Sequence, residues 1–220
     1  MATPIKTNAI VIKTINYSDK HLIVHLFTES LGRLSFFVYG GQSRKKKSFF
    51  LPLNSIEIIF TPNNNRDLQI IKEIGASNTF SFHNQYNKIP AIFLISELLD
   101  KTIPYEIEDN RLFRFLTDTI MFLDRIKNTS AFFSQFLIFY SFLLGILSNE
   151  REKEEFDIEY ILSQEQAKYI SNLLLQYSYN EGLKLPPVVR HDLIEKLLKN
   201  IQEKMNISPL KSYEVFKRMY

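Results

Sequence analysis

Along the first 80 residues, apolar and polar positions follow the short, turn-interrupted pattern of β-strands. Five segments rich in β-branched and aromatic residues are separated by groups of Gly, Pro, Asn, Asp and Ser, which mark turns. The predicted strands are Lys6–Ile15, Leu22–Thr28, Leu34–Tyr39, Ser55–Phe60 and Leu68–Ile74. Five strands in a segment of this size indicate a small barrel, and the pattern alone leaves open an OB-fold or an SH3-like barrel.

After Phe82 the spacing of apolar residues changes to that of helices. Pro104 ends the first predicted helix, and Asp109 can cap the second. The predicted helices are Tyr86–Thr102, Arg111–Lys127, Phe132–Leu147, Ala167–Gln176, Val188–Met205 and Leu210–Tyr220. We therefore predict an α+β chain in segregated halves. Residues 1–80 form a barrel domain, and residues 81–220 form an all-α helical domain with a short acidic loop near residues 149–163.

The most apolar stretch, Ala131–Leu147, is predicted to be a buried helix of the helical domain. It is 17 residues long and contains Ser134, Gln135 and Ser141, so it is short and interrupted for a bilayer span. The first residues lack the apolar run of a signal peptide. The expected localisation is therefore cytoplasmic.

Charge is distributed unevenly between the two halves. The net charge is +3, but residues 1–80 hold ten Lys and Arg against five Asp and Glu, and the remainder holds seventeen against nineteen. A basic segment on a nearly neutral body indicates a local anionic partner, such as nucleic acid or anionic lipid.

The strongest local feature is a basic run that follows the third predicted strand. Along that strand, Arg33, Phe37 and Tyr39 share the outward face, because alternate residues of a strand point the same way. The run Arg44–Lys47 comes next, in a predicted loop. Cations neutralise phosphates and aromatic rings stack on bases, so this combination is typical of a surface that binds single-stranded nucleic acid.

No arrangement of residues indicates catalysis. The chain has no cysteine, which excludes a disulfide scaffold, a thiol nucleophile and a cysteine-ligated zinc site. His21 and His25 fall in a strand-like segment, where their spacing of about 13 Å is too large for one metal ion. The sequence also lacks a phosphate-binding loop and a nucleophile elbow. We expect a chain that is not an enzyme and has no catalytic residue, metal or cofactor.

Several short segments, taken in order, resemble the RecO family of DNA-repair and recombination-mediator proteins. They are Ala9–Thr14, Tyr17–Lys20, Leu26–Glu29, Gly32–Ser35 and, near the C-terminus, Leu210–Val215. The resemblance implies an N-terminal OB-fold followed by a helical domain. Many relatives carry a cysteine-ligated zinc module in the helical half, which this chain lacks.

The resemblance also implies a function. It implies binding of single- and double-stranded DNA, strand annealing, and loading of RecA, together with RecR, onto DNA coated by single-strand binding protein. It implies cytoplasmic, nucleoid-associated localisation and no membrane partner. The DNA contacts it suggests are Lys13, Arg33 and Arg44–Lys47, while Tyr39 stands where the family often has a basic residue.

The C-terminal tail of single-strand binding protein is acidic and ends in apolar residues, so its site should combine cations with an apolar groove. Composition alone makes Lys101, Arg111, Arg114 and Arg125 candidates for that site. Two alternatives to a DNA mediator remain open: an OB-fold protein that binds RNA, and a membrane-surface adaptor that uses the helix at Ala131–Leu147.

Overall fold

A computed structural model describes residues 3–63, 65–78, 80–147, 166, 169, 172–173 and 178–219. The strands are β1 (Ile5–Asn16), β2 (Leu22–Thr28), β3 (Gly32–Val38), β4 (Ser55–Phe60) and β5 (Leu68–Ser77). The helices of the described residues are α1 (Arg44–Lys47), α2 (Ile89–Thr102), α3 (Asn110–Arg125), α4 (Phe132–Leu143), α5 (Pro187–Lys204) and α6 (Lys211–Met219). The five predicted strands are confirmed, and their ends differ from the prediction by at most three residues.

The five strands close into a barrel in the order β1-β2-β3-β5-β4. All neighbouring pairs are antiparallel except β3 and β5, which run parallel from Ser35↔Leu68 to Phe37↔Ile70. A closed five-stranded barrel with this strand order is of the OB type, which decides between the two barrels left open by the sequence.

Alternation of apolar residues builds the barrel core. Val24 and Leu26 on β2 are buried, as are Phe36 on β3 and Phe60 on β4, whose rings meet edge to face at 4.9 Å between centroids. Phe50, in a 3₁₀ turn after α1, is also fully buried against this core. These side chains point inward, so the opposite face of each strand is left for other contacts.

Part of that opposite face is covered by helices. Ile10, Ile12 and Phe27 are fully buried although they alternate with the inward residues. Helix α2 packs on β1, where the Ser96 hydroxyl donates to the Ile12 carbonyl, and the Phe27 ring lies 5.9 Å from that of Phe113 on α3. Burial on both faces explains why β1 carries a continuous apolar run rather than a strict alternation.

The chain divides into two compact units: residues 1–124 with 210–219, and residues 125–209. In the first unit, α6 returns to α2, where the Glu97 carboxylate accepts hydrogen bonds from the Lys211 and Ser212 amides. In the second unit, α4 and α5 pack together, and the Gln135 side chain exchanges two hydrogen bonds with the Asn180 backbone. The predicted domain boundary between residues 80 and 81 marks the change from strands to helices and stays a prediction.

Local details both confirm and correct the predicted helices. Asp109 caps α3 as predicted, since its carboxylate accepts from the Leu112 amide at 2.8 Å. The predicted helix Phe132–Leu147 is too long, because α4 ends at Leu143, followed by Gly145 at a φ of +69°. The run Arg44–Lys47, predicted as a loop, forms one helical turn. The acidic loop near 149–163 lies outside the described residues, as does most of the predicted helix Ala167–Gln176.

Within the described residues, no helix combines the length and apolarity that crossing a membrane would need. Helix α4 is nevertheless buried almost all round, as predicted for this apolar segment.

Candidate nucleic-acid interface

The outer face of the barrel carries an apolar row that crosses four strands. Cross-strand pairing joins Ile15 to Ile23, Ile23 to Phe37, and Phe37 to Ile70. Directly paired residues point to the same face of a sheet, so these side chains form one continuous strip. Ile15 is exposed and the other three are partly exposed. The barrel therefore presents an open apolar surface over β1, β2, β3 and β5.

Four rings gather at one end of this strip, and we call Tyr17, His21, Phe37 and Tyr39 the aromatic cluster. The Phe37 ring lies 4.8 Å from Tyr39 and 5.3 Å from both Tyr17 and His21, measured between centroids. The rings of His21 and Tyr39 lie 5.5 Å apart. Tyr17 is 62% exposed and Tyr39 58% exposed, so the cluster offers ring faces and edges to a ligand.

The turn between β1 and β2 holds the cluster in place. The Ser18 hydroxyl oxygen accepts hydrogen bonds from the amides of Lys20 and His21. The Gly40 amide, beyond the end of β3, donates to His21 Nδ1 at 3.2 Å. These bonds position the rings before any ligand arrives, which lowers the entropic cost of binding.

A cavity of about 420 Å³ adjoins the cluster and is lined by Asn16, Tyr17, Ser18, Asp19 and Gln42. The side-chain amide of Gln42 lines the cavity and donates from Nε2 to Asn16 Oδ1 at 2.8 Å. It also accepts from Lys47 Nζ at 3.3 Å. Polar groups thus continue the surface from the aromatic cluster towards α1.

Helix α1 supplies the cations. Lys46 Nζ donates to the Tyr39 carbonyl at 2.9 Å, which fixes α1 beside the aromatic cluster. All four residues of α1 are exposed. Among the described residues, Arg44 and Lys45 have no side-chain partner, so their charges are available to an anionic ligand. Phe37, Tyr39 and Arg44–Lys47 are therefore brought together, as the sequence-based hypothesis requires.

Arg33 is placed differently from the sequence-based expectation. Its side chain is buried, with 4% of the residue exposed, and its guanidinium donates to the Asp100 carboxylate and to the Ile103 carbonyl. The guanidinium also lies 4.2 Å above the Tyr105 ring centroid. The charge of Arg33 is thus paired within the first unit, at the C-terminal end of α2.

Lys13 is held by the same carboxylate. Its ammonium group lies 2.6 Å from Asp100 Oδ2, although the side chain is 47% exposed. Next to this pair, His25 Nδ1 lies 3.0 Å from both the Ser35 hydroxyl and the Tyr105 hydroxyl. Burial, followed by the positive charge of Arg33, lowers the pKa of His25, while Asp100 acts in the opposite direction. Lys13 and Arg33 therefore belong to a second, internally paired part of the outer face.

The candidates for the tail site lie on two helices, α2 and α3. Lys101 pairs with Glu97 one turn earlier on α2, at 3.3 Å. Arg111 and Arg114 lie about one turn apart on the exposed side of α3, and Arg125, at the end of α3, is counted with the second unit.

Sequence reasoning missed Tyr17 and His21 as members of the aromatic cluster. Both residues lie between the first two predicted strands, Lys6–Ile15 and Leu22–Thr28. The available signal was the short turn between the first two strands, which brings these residues opposite the end of the third strand. Among the described residues, no group of three His, Asp or Glu side chains could hold a metal ion.

Comparison with known proteins places this arrangement in a family. Residues 1–80 match the family described as Recombination protein O N terminal. A DNA repair protein RecO from Flavobacterium johnsoniae is 32% identical over 166 residues, which cover 73% of this chain and 69% of the relative. Proteins of the same name from Azobacteroides pseudotrichonymphae and Flavobacterium psychrophilum are 33% and 36% identical over 152 and 133 residues.

These last two matches cover 67% and 58% of this chain, and 63% and 56% of the relatives. The chain thus spans somewhat less than two thirds of the length of those two relatives. The match over the whole barrel and the longer match to the Flavobacterium johnsoniae protein together show that this chain belongs to the RecO family.

Proposed function

We propose that the chain is a non-catalytic DNA-binding protein of repair and recombination, and that the aromatic cluster with α1 is its surface for single-stranded DNA. The observation that carries the proposal is the contact between an exposed set of rings and a basic helix, joined by the bond from Lys46 to the Tyr39 carbonyl. The relatives named DNA repair protein RecO support the biological setting.

The two parts of the surface favour different features of DNA. Stacking of one base on an aromatic side chain contributes about 1–3 kcal/mol and needs an unpaired base. The cations of α1 contact phosphates, which single and double strands both present. We therefore expect both forms to bind, with the aromatic cluster favouring the single strand.

The wider role is that of a mediator. The chain would anneal complementary strands and, together with RecR, help to load RecA on DNA coated by single-strand binding protein. The acidic tail of that protein is the proposed partner of Lys101, Arg111, Arg114 and Arg125. The proposed localisation is the cytoplasm, in association with the nucleoid.

The test of the DNA surface compares Tyr17→Ala, Tyr39→Ala and Tyr86→Ala. Tyr86 is 87% exposed and outside the cluster, so it is a matched control. Fluorescence anisotropy with an oligothymidine should show that each cluster variant binds about 5- to 150-fold more weakly, which corresponds to about 1–3 kcal/mol. Duplex affinity should change much less. Equal losses of affinity for single strand and duplex, or a comparable loss for Tyr86→Ala, would contradict the assignment.

Competition with RNA of matched sequence tests the RNA-binding alternative. A clear preference for RNA over DNA would favour that alternative.

The mediator role has its own test. Annealing of complementary strands is measured on DNA coated by single-strand binding protein, either intact or lacking its acidic tail. We expect the chain to accelerate annealing only with the intact protein, and an Arg111→Gln, Arg114→Gln double variant to reduce that acceleration. Acceleration independent of the tail would contradict this part of the proposal.

A further inference from the structure

The outer face of the barrel has two ends that differ in how their cations are paired. The end with the aromatic cluster carries Arg44 and Lys45 without partners in the described part of the chain. At the other end, one carboxylate, Asp100, pairs with both nearby cations, Lys13 and Arg33. The two ends are six residues apart along the chain, at Arg33 in β3 and at Tyr39 directly after it.

From this contrast we propose that Asp100 is the boundary of the DNA path, a positioning residue that keeps Lys13 and Arg33 out of DNA contact and confines the strand to the aromatic cluster and α1. The inference rests on the proposed function, and it assigns to Asp100 the control of where that site ends.

Geometry supports the boundary first. Arg33 is anchored through its two terminal guanidinium nitrogens, to the Asp100 carboxylate and backbone and to the Ile103 carbonyl. The guanidinium of Arg33 lies over the Tyr105 ring, and the Tyr105 hydroxyl forms a hydrogen bond with His25 Nδ1. Tyr105 is itself attached to the start of β3, since the Glu106 amide donates to the Arg33 carbonyl. The segment after α2 therefore covers the part of the outer face along which a bound DNA strand would otherwise continue.

Electrostatics acts in the same direction. Of the two cations paired with Asp100, Lys13 is the more exposed, with 47% of its side chain exposed against 5% for Arg33, but its ammonium group is 2.6 Å from Asp100 Oδ2. A phosphate that approached Lys13 would also approach a carboxylate with 15% of its side chain exposed. A cation that is already paired releases few counterions when DNA binds, so it adds little to affinity or to its salt dependence.

The experiment compares two exposed lysines in the full chain, Lys13→Gln and Lys45→Gln, for binding to an oligothymidine between 50 and 200 mM salt. Removing one true phosphate contact from a single strand lowers the slope of log affinity against log salt by about 0.7, a change of about 2.6-fold over this salt range. We expect that change for Lys45→Gln and an unchanged slope for Lys13→Gln.

The opposite substitution tests Asp100 directly. Asp100→Asn keeps an acceptor for Arg33 but removes the charge that holds Lys13, so we expect tighter DNA binding and a slope steeper by up to about 0.7. Near-UV circular dichroism checks the fold, and if this variant does not fold, the lysine pair alone decides.

The outcomes separate the two proposals. If Lys13→Gln flattens the slope as much as Lys45→Gln, or folded Asp100→Asn binds no more tightly, the boundary is wrong while the DNA surface stands. If neither lysine variant changes the slope, the proposed DNA surface fails, and the boundary fails with it.

Discussion

Replacing Arg33 with Met should cost the protein stability and leave DNA binding unchanged. The side chain is 4% exposed in total, and its guanidinium serves one carboxylate, two backbone carbonyls and the Tyr105 hydroxyl. Methionine fills much of the same space, so the lost contribution is chiefly polar, and the backbone carbonyls of Asp100 and Ile103 lose this donor.

The magnitude follows from what remains after the substitution. Removing one partner of a buried ion pair costs about 3–5 kcal/mol, because the other charge is left uncompensated. Here Asp100 keeps Lys13 as a partner at 2.6 Å, which places the expected loss near the lower limit, at about 3 kcal/mol. Lys13→Gln removes only a half-exposed pair and should cost about 0–1 kcal/mol.

Urea unfolding measures both variants. Because the chain has no tryptophan, tyrosine fluorescence and far-UV circular dichroism are the signals. With a slope of about 1–3 kcal/mol per molar urea, the midpoint of Arg33→Met should fall by about 1–3 M. A loss below about 1 kcal/mol, or equal losses for Arg33→Met and Lys13→Gln, would refute the reasoning, since both results require a solvated Arg33.

Two further predictions concern the glycines at the two ends of β3 and the C-terminal helix. Gly32→Ala should destabilise the chain strongly, because Gly32 has a φ of +68° and an added Cβ would lie 2.1 Å from the Ile107 carbonyl oxygen. Gly40→Ala, at a φ of +63° with its nearest neighbour 3.9 Å away, should cost only about 1–2 kcal/mol, so similar unfolding midpoints for the two would contradict the steric argument. At Glu97, burial raises the pKa of the carboxyl, but hydrogen bonds from Ser212, Lys211 and Lys101 outweigh it and hold the pKa below its usual value of 4.5. A depressed pKa gives stability that is present above the unfolded-state value and is lost as pH falls through the folded-state value. Glu97→Gln should therefore flatten the fall in stability on acidification below about pH 4.5, and an unchanged acid profile would contradict that role.

The sequence by itself determined the five strands, five of the six helices of the described residues, and the order of these elements. Strand alternation, turn residues and helical spacing are local properties, so the five strands and the Asp109 cap could be read from neighbouring residues. The uneven charge, and the run Arg44–Lys47 that contributes to it, were also visible. The family resemblance was carried by short segments at both ends of the chain.

Only the tertiary structure decided what each exposed face meets. Alternation identifies Arg33 and Phe37 as members of one face, but it cannot show that Asp100, far along the chain, reaches Arg33 and not Phe37. Nor could it assemble the aromatic cluster, because the register of β1, β2 and β3 brings Tyr17 and His21 to Phe37. The physical reason is that a local pattern determines the direction of a side chain, whereas its partner depends on packing between distant segments. Residues of one strand face therefore have opposite roles here: Arg33 holds a helix to the barrel, and Phe37 stays open to a ligand.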